Sequence, residues 1–168
     1  MKLQSLDDVF VEQLGDLYSA ERQLLEALPK VVLAAQTDEL RAALDEHLDQ
    51  TRNHVARLEE VFATLPMKVP EEKCKGMEGL LAEGDKIVQA EGDGTARDAA
   101  LIAAAQRVEH YEISGYGTAK ALADQLGYDR AEELLGETLD EEAAADERLT
   151  KIATGGLLGT GINERAAR

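Results

Sequence analysis

The stretch from Pro66 to Gly94, PMKVPEEKCKGMEGLLAEGDKIVQAEGDG, decides how the rest of the chain is arranged. It carries two prolines, scattered glycines and one weakly amphipathic run, Met77 to Ala90, so it reads as a connection holding a short helix. Long helical patterns lie on both sides of it. Before it, Ser5 followed by Asp8 is a capping box, and Phe10, Leu14, Leu17, Leu24 and Leu28 recur at helical spacing over about residues 6–34. Pro29 is expected to bend or end the regular part of that helix. Thr37, Asp38 and Glu39 set a cap and negative charge at the start of a second helix bearing Leu40, Leu44, Leu58, Val61 and Leu65, which Pro66 stops. After the connection, Thr95 with Asp98 repeats the capping-box signal, and a third long helix runs to Gly127 with Ile102, Val108, Ile113 and Leu126. A fourth follows with almost no loop, from about Asp129 to Thr154, carrying Leu135, Leu149 and Ile152.

Connection lengths convert these helices into a topology. The links between the first and second and between the third and fourth helices are very short, so each pair forms an antiparallel hairpin. A 28-residue helix is about 42 Å long at about 1.5 Å per residue. The 29 residues of the central stretch can return along that length. Two hairpins joined by one long crossover make an all-α, ferritin-like four-helix bundle rather than a simple up-down-up-down one. Residues 1–154 are expected to form the bundle. Residues 155–168, with Gly155, Gly156, Gly159 and Gly161, read as a flexible C-terminal tail.

Composition narrows the functional classes. The 168 residues are near the length of one domain, and a 44% hydrophobic content fills a single core. Eighteen bases against 34 acids give a net charge of −16, which disfavours nucleic acid and anionic membranes as partners. No apolar stretch is long enough to span a membrane, and the first ten residues carry no signal-peptide pattern. The single Cys74 forms no internal disulfide, so a cytoplasmic setting is expected, with Cys74 an ordinary thiol.

The core stripes hold the chemistry. Positions spaced alternately three and four apart give Phe10, Leu14, Leu17, Glu21, Leu24 and Leu28 on the first helix, and Leu40, Leu44, His47, Thr51, His54, Leu58, Val61 and Leu65 on the second. On the third they give Ile102, Ala105, Glu109, Glu112, Tyr116, Ala119, Ala123 and Leu126, and on the fourth Ala131, Leu135, Thr138, Glu142, Ala145, Leu149 and Ile152. Four glutamates and two histidines fall on these stripes, and no lysine or arginine does. Unpaired buried carboxylates cost several kcal/mol each, so they must be protonated, paired or bound to a cation. Glu21, His54, Glu109, Glu112 and Glu142 lie near the middle of their helices and meet in one layer of an antiparallel bundle. Oxygen-rich ligands with an imidazole suit iron or manganese, and this number can hold two ions through bridging carboxylates. The plainer reading leaves any one glutamate solvated. His47 reads as a satisfied core histidine, and Tyr18 and Tyr116 as core aromatics with hydrogen-bonded hydroxyls.

Five segments carry a resemblance. Asp16-Leu-Tyr-Ser-Ala-Glu21-Arg-Gln-Leu, His54-Val-Ala-Arg-Leu-Glu59, Lys73-Cys-Lys-Gly-Met-Glu-Gly-Leu80, Arg107-Val-Glu-His-Tyr-Glu112 and Thr138-Leu-Asp-Glu-Glu142 resemble the YciE/YciF-type family of bacterial ferritin-like proteins over nearly the whole chain to about Ala153. The resemblance implies a ferritin-like bundle, homodimers, association with stress responses and a di-metal site of iron or manganese. Di-iron sites of this fold use one Glu on one helix of each hairpin and Glu-x-x-His on the other. Glu21 and Glu109 or Glu112 match the single glutamates. The second helix departs, with Gln50 and Thr51 before His54, and so does the fourth, with Ala145 after Glu142. Asp146 can stand in for the missing imidazole, and Glu112 can supply an extra carboxylate.

Two functions follow. One is a di-iron or di-manganese carboxylate protein reacting with oxygen or peroxide, its ligands being Glu21, His54, Glu109, Glu112, Glu142 and Asp146; no catalytic residue is singled out. The other is a metal-free helical stress protein acting by dimerisation or partner binding. Val31, Val32 and Leu33 lie off the main stripe and are candidates for the dimer surface.

Overall fold

The computed structural model describes residues 3–66, 68–70, 72–156 and 159–168. Among the described residues six helices follow in order: α1 Leu6–Ala34, α2 Asp38–Thr64, α3 Lys75–Val88, α4 Gly94–Leu126, α5 Asp129–Thr154 and α6 Ile162–Ala166. Strands are absent among the described residues. α1 packs on α2 and α4 on α5, and the two hairpins close into a bundle through α2 against α5 and α1 against α4. The crossover helix α3 lies against α1 and α4, outside the four-helix core.

Local signals explain most boundaries. The Ser5 hydroxyl accepts from the Asp8 N–H, and the Asp8 carboxylate accepts from the Ser5 N–H, which completes the capping box of α1. Gly127 ends α4 at φ 74°, a left-handed conformation that lets α5 begin two residues later. Crowding at the α1–α4 crossing is set by Gly115, where a Cβ would lie 2.7 Å from Leu17 Cδ2.

α1 runs over the expected span to Ala34 with Pro29 inside it, the missing donor being tolerated in an element held by tertiary packing. Three expectations are corrected. The cap of α4 is Asp93, whose carboxylate accepts from the Ala96 N–H, not Thr95 with Asp98. Asp98 is buried and serves another helix, its two oxygens accepting at 2.8 Å from the Gln36 and Thr37 N–H groups ahead of α2. The Thr37 side chain makes no cap bond to the first turn of α2. Finally, the stretch read as a flexible tail contains α6, which packs on α4 and α5 with Ile162 fully buried; one apolar residue after Gly161 outweighs the glycine content around it.

The stripes bury as their spacing requires. One apolar cluster, with Phe10, Leu14, Leu17, Leu58, Val61, Tyr116 and Leu135, fills the end where α1 begins and α2 finishes. A second, with Leu40, Leu44, Ile102, Leu149, Ile152 and Ile162, fills the opposite end. Each such side chain contributes about 1.5–3 kcal/mol by leaving water. Between the two ends lies the polar layer.

Candidate metal centre

Glu21, His54, Glu112 and Glu142 are fully buried, and Glu109 and His47 are 3% and 5% exposed. Each long helix contributes because the middle of its core stripe is polar: Glu21 from α1, the two histidines from α2, Glu109 and Glu112 from α4, and Glu142 from α5. The side chains fall into two groups whose potential ligand atoms lie within 4.8 Å of one another, His47–Glu109–Glu112–Glu142 and Glu21–His54–Glu142. Glu142 belongs to both and lies where a carboxylate can bridge two adjacent positions.

Distances inside the layer are those of charge contacts rather than aligned hydrogen bonds. His54 Nδ1 is 3.0 Å from Glu142 Oε1 and 3.3 Å from Glu21 Oε1. His47 Nε2 is 3.6 Å from Glu109 Oε1 and 3.9 Å from Glu142 Oε2. Nine buried side-chain atoms of these six residues have no hydrogen-bond partner, including both oxygens of Glu112 and Glu142 and both nitrogens of His47. Buried polar atoms are paired as a rule, and a concentration of unpaired acceptors in one layer is what a bound cation resolves.

One wall of the layer is fully paired. His54 Nε2 is 2.8 Å from Glu141 Oε2, and both Glu141 oxygens accept from the Arg57 guanidinium at 2.7 and 2.8 Å. A carboxylate on Nε2 fixes the imidazole plane and aims Nδ1 at Glu21 and Glu142, the arrangement that orients metal-binding histidines. Tyr116, buried as expected, donates its hydroxyl to Glu21 Oε1. Tyr18 is half-buried and donates to Glu59, away from the layer.

Electrostatics follow from burial and crowding. Burial, reinforced by neighbouring carboxylates, pushes Glu109 and Glu112 well above the ordinary carboxylate range. Burial also raises Glu21, although His54 offsets part of the effect. Burial pushes Glu142 up, but the His54 contact and the charges of His47 and His54 hold it below its ordinary value. For His54 burial favours the neutral ring, yet Glu142 and Glu21 outweigh it and raise the imidazole to about 10.

Of the sequence candidates, Glu21, His54, Glu109, Glu112 and Glu142 converge and Asp146 does not. Asp146 is half-buried at the edge, where its carboxylate faces Gln106 Nε2 at 3.0 Å and His110 Nε2 at 3.5 Å, on the side of the α4–α5 contact away from the layer. His47 is the residue the sequence reading undervalued. It is buried inside the layer with no hydrogen-bond partner on its ring, not satisfied, and its spacing of seven from His54 was the available signal. Arg57 and Glu141 lie beside the stripes rather than on them, and Arg57 one turn after His54 was their only trace. Thr51 turns its hydroxyl to the His47 carbonyl. Cys74 is buried and structural, its Sγ capping α3 by accepting from the Met77 N–H and lying 3.0 Å from the Tyr111 hydroxyl.

Known proteins share this architecture. Residues 5–167 match the family described as a domain of unknown function, DUF892. Protein YciF of Escherichia coli strain K12 is 45% identical over 154 residues, which cover 91% of this chain and 93% of that protein. The crystal structure of the E. coli stress protein YciF superposes with a TM-score of 0.87 over 89% of this chain and 94% of that one, at 45% identity. YcfI of Rhodopseudomonas palustris, provisionally called a structural protein, superposes with a TM-score of 0.86 at 39% identity over 90% and 97% of the two chains. With a crossover bundle and a polar mid-layer built on the stripes of all four long helices, the chain belongs to the DUF892 family of YciF-type proteins.

Proposed function

We propose that the chain is a stress-response metalloprotein whose mid-bundle layer holds two ions of iron or manganese and reacts with oxygen or peroxide. The observation that carries this reading is the set of nine unpartnered ligand atoms buried in one layer. Four carboxylates match the charge of two divalent cations. His47, Glu109, Glu112 and Glu142 would hold one ion, and Glu21, His54 and Glu142 the other. The bound ions would supply the redox reactivity. The protein's part is to exclude water with apolar clusters at both ends, to orient His54 through Glu141 and Arg57, and to steady Glu21 through the Tyr116 hydroxyl. The His54 proton must leave when a cation arrives, so binding is coupled to proton release.

Elemental analysis of protein purified without chelator tests the reading, followed by anaerobic ferrous loading and exposure to oxygen. About two ions per chain and a new near-ultraviolet absorbance are expected, and Glu112→Ala should lose both. Negligible metal in the wild-type protein would overturn it. A second reading, a metal-free helical stress protein, draws on Thr51 and Ala145, which stand where the fold's di-iron sites place a carboxylate and an imidazole. Pairing of two copies is part of either reading. Leu33, 83% exposed, is the residue of the expected surface that remains free to contribute, since Val31 and Val32 pack against the second apolar cluster.

A further inference from the structure

We propose that the half-open cavity between α1, α3 and α4, lined also by Leu44 and His47 of α2, is a binding chamber for an unbranched aliphatic molecule, whose chain end reaches the His47–Glu109 edge of the buried layer. The cavity measures about 540 Å³, within the ~300–1,000 Å³ typical of small-molecule sites. Its walls are aliphatic on all three helices, with Leu28 and Val31 on α1, Leu81 and Val88 on α3, and Leu101 and Val108 on α4. Room for an occupant comes from Ala27, Ala104 and Ala105, small residues where a bundle helix ordinarily presents large ones. Among the described residues no phenylalanine or tyrosine lines it and the His47 ring stands only at the inner end, so a flexible chain that conforms to branched walls fits better than a flat ring or nucleobase.

Polar side chains share the lining: Gln23, whose amide donates to Ser19 and the Cys74 carbonyl, and further charged or imidazole groups at two places. At the inner end the cavity is lined by His47 and Glu109, whose unpartnered ring nitrogens and Oε2 lie behind that wall, out of reach of solvent. At the outer rim Lys30 and Lys73 are balanced by Glu26 and Asp85, and Lys73 is already paired with Glu78 at 2.6 Å. A balanced rim selects neither sign of charge strongly, so recognition falls to the chain, with the head group left at the rim. Displacing water from aliphatic walls supplies the driving force. The inference rests on the proposed metal centre only in identifying what the chain end meets; binding of the chain needs no ion.

The test uses the full chain with dodecanoate and dodecanol, each below its micellar concentration, followed by titration calorimetry with and without Mn²⁺. Saturable binding at one molecule per chain is expected. Dodecanoate alone binding would assign an acid head, and equal binding of both would assign recognition to the chain; either outcome supports the chamber. Ala104→Phe and Ala27→Phe, which fill the cavity from opposite helices, should each weaken binding at least tenfold while metal content and helical circular dichroism stay unchanged. Glu112→Gln should do the reverse, losing metal and keeping the aliphatic ligand. With Mn²⁺ bound, the terminal methyl of ¹³C-labelled dodecanoate should broaden more than the methylene beside its carboxylate. Absence of saturable binding by either probe, or full binding in both phenylalanine variants, would overturn the proposal. The opposite order of broadening would overturn the orientation. Aliphatic binding by a wild-type protein that takes up no metal would keep the chamber and remove the metal reading.

Discussion

Two layers of the same bundle, both withdrawn from water, are stabilised in opposite ways. The layer of Phe10, Leu14, Leu58 and Leu135 consists of side chains whose burial is itself the driving force. The layer of Glu21, His47, His54, Glu109, Glu112 and Glu142 is equally buried but leaves nine acceptor and donor atoms without partners. The first is complete as it stands, and the second offers ligand atoms that a bound cation could pair. The apolar layers hold the fold rigid enough for the polar one to persist.

The largest expected effect attacks the complete layer. Phe10→Ala should lower the unfolding free energy in urea by about 3–5 kcal/mol, while metal content per folded chain stays as in the wild type. A loss of metal in that variant would mean that the two layers are not independent. Next comes the incomplete layer. Mn²⁺ at about a thousand times its dissociation constant should stabilise the wild-type protein by about 4 kcal/mol, and Glu142→Ala, which removes the carboxylate common to both groups, should abolish the gain. A thermal scan with and without the ion is sufficient.

Asp98 sharpens the contrast, because it is a buried carboxylate whose partners belong to the chain. Asp98→Ala should cost about 2 kcal/mol by orphaning two N–H groups, with no change in metal uptake. Protection of the Gln36 and Thr37 amides from hydrogen exchange would fall in step.

The smallest effect is a slope. Glu109 and Glu112 have raised values, so in metal-free protein their contribution is present while they stay protonated and is lost as pH rises above the ordinary carboxylate range. His54, raised to about 10, acts in the same direction: its contribution is complete below its ordinary value and is lost as pH rises through about 10. Glu142 acts oppositely, but its contribution is lost only as pH falls below the ordinary carboxylate range. Metal-free protein should therefore be more stable at pH 5.5 than at pH 7.5, by at most about 1.4 kcal/mol per pH unit for each titrating group. Glu112→Gln should flatten the slope. With Mn²⁺ present the sign should reverse, because ligation favours the deprotonated forms. Thermal midpoints at the two pH values, with and without the ion, check both signs.

The hairpins and the crossover were legible because helical periodicity, connection length and proline placement are local properties of Ser5, Pro66 and the stripe leucines. The polar layer was legible for the same reason: a glutamate at a stripe position is visible without knowing its neighbours. What sequence could not show depends on distant partners. Asp98 looked like the cap of its own helix because the N–H groups it serves lie 61 and 62 residues away. His47 reads as satisfied because its spacing from His54 places it on the stripe without showing that its ring lacks a partner. Asp146 shares the face of Glu142 in sequence, and only the distant Gln106 and His110 side chains on α4 show where its carboxylate goes.

The Asp98 contact also bears on how the chain comes together. The turn ahead of α2 is closed by a carboxylate that is synthesised some sixty residues later. Until α4 docks, the first hairpin has a frayed elbow at Gln36 and Thr37, and a fragment ending near Pro66 should begin its second helix late. Closure of the two halves is then cooperative at a named point, since the event that seats α4 against α1 also tightens the turn between α1 and α2.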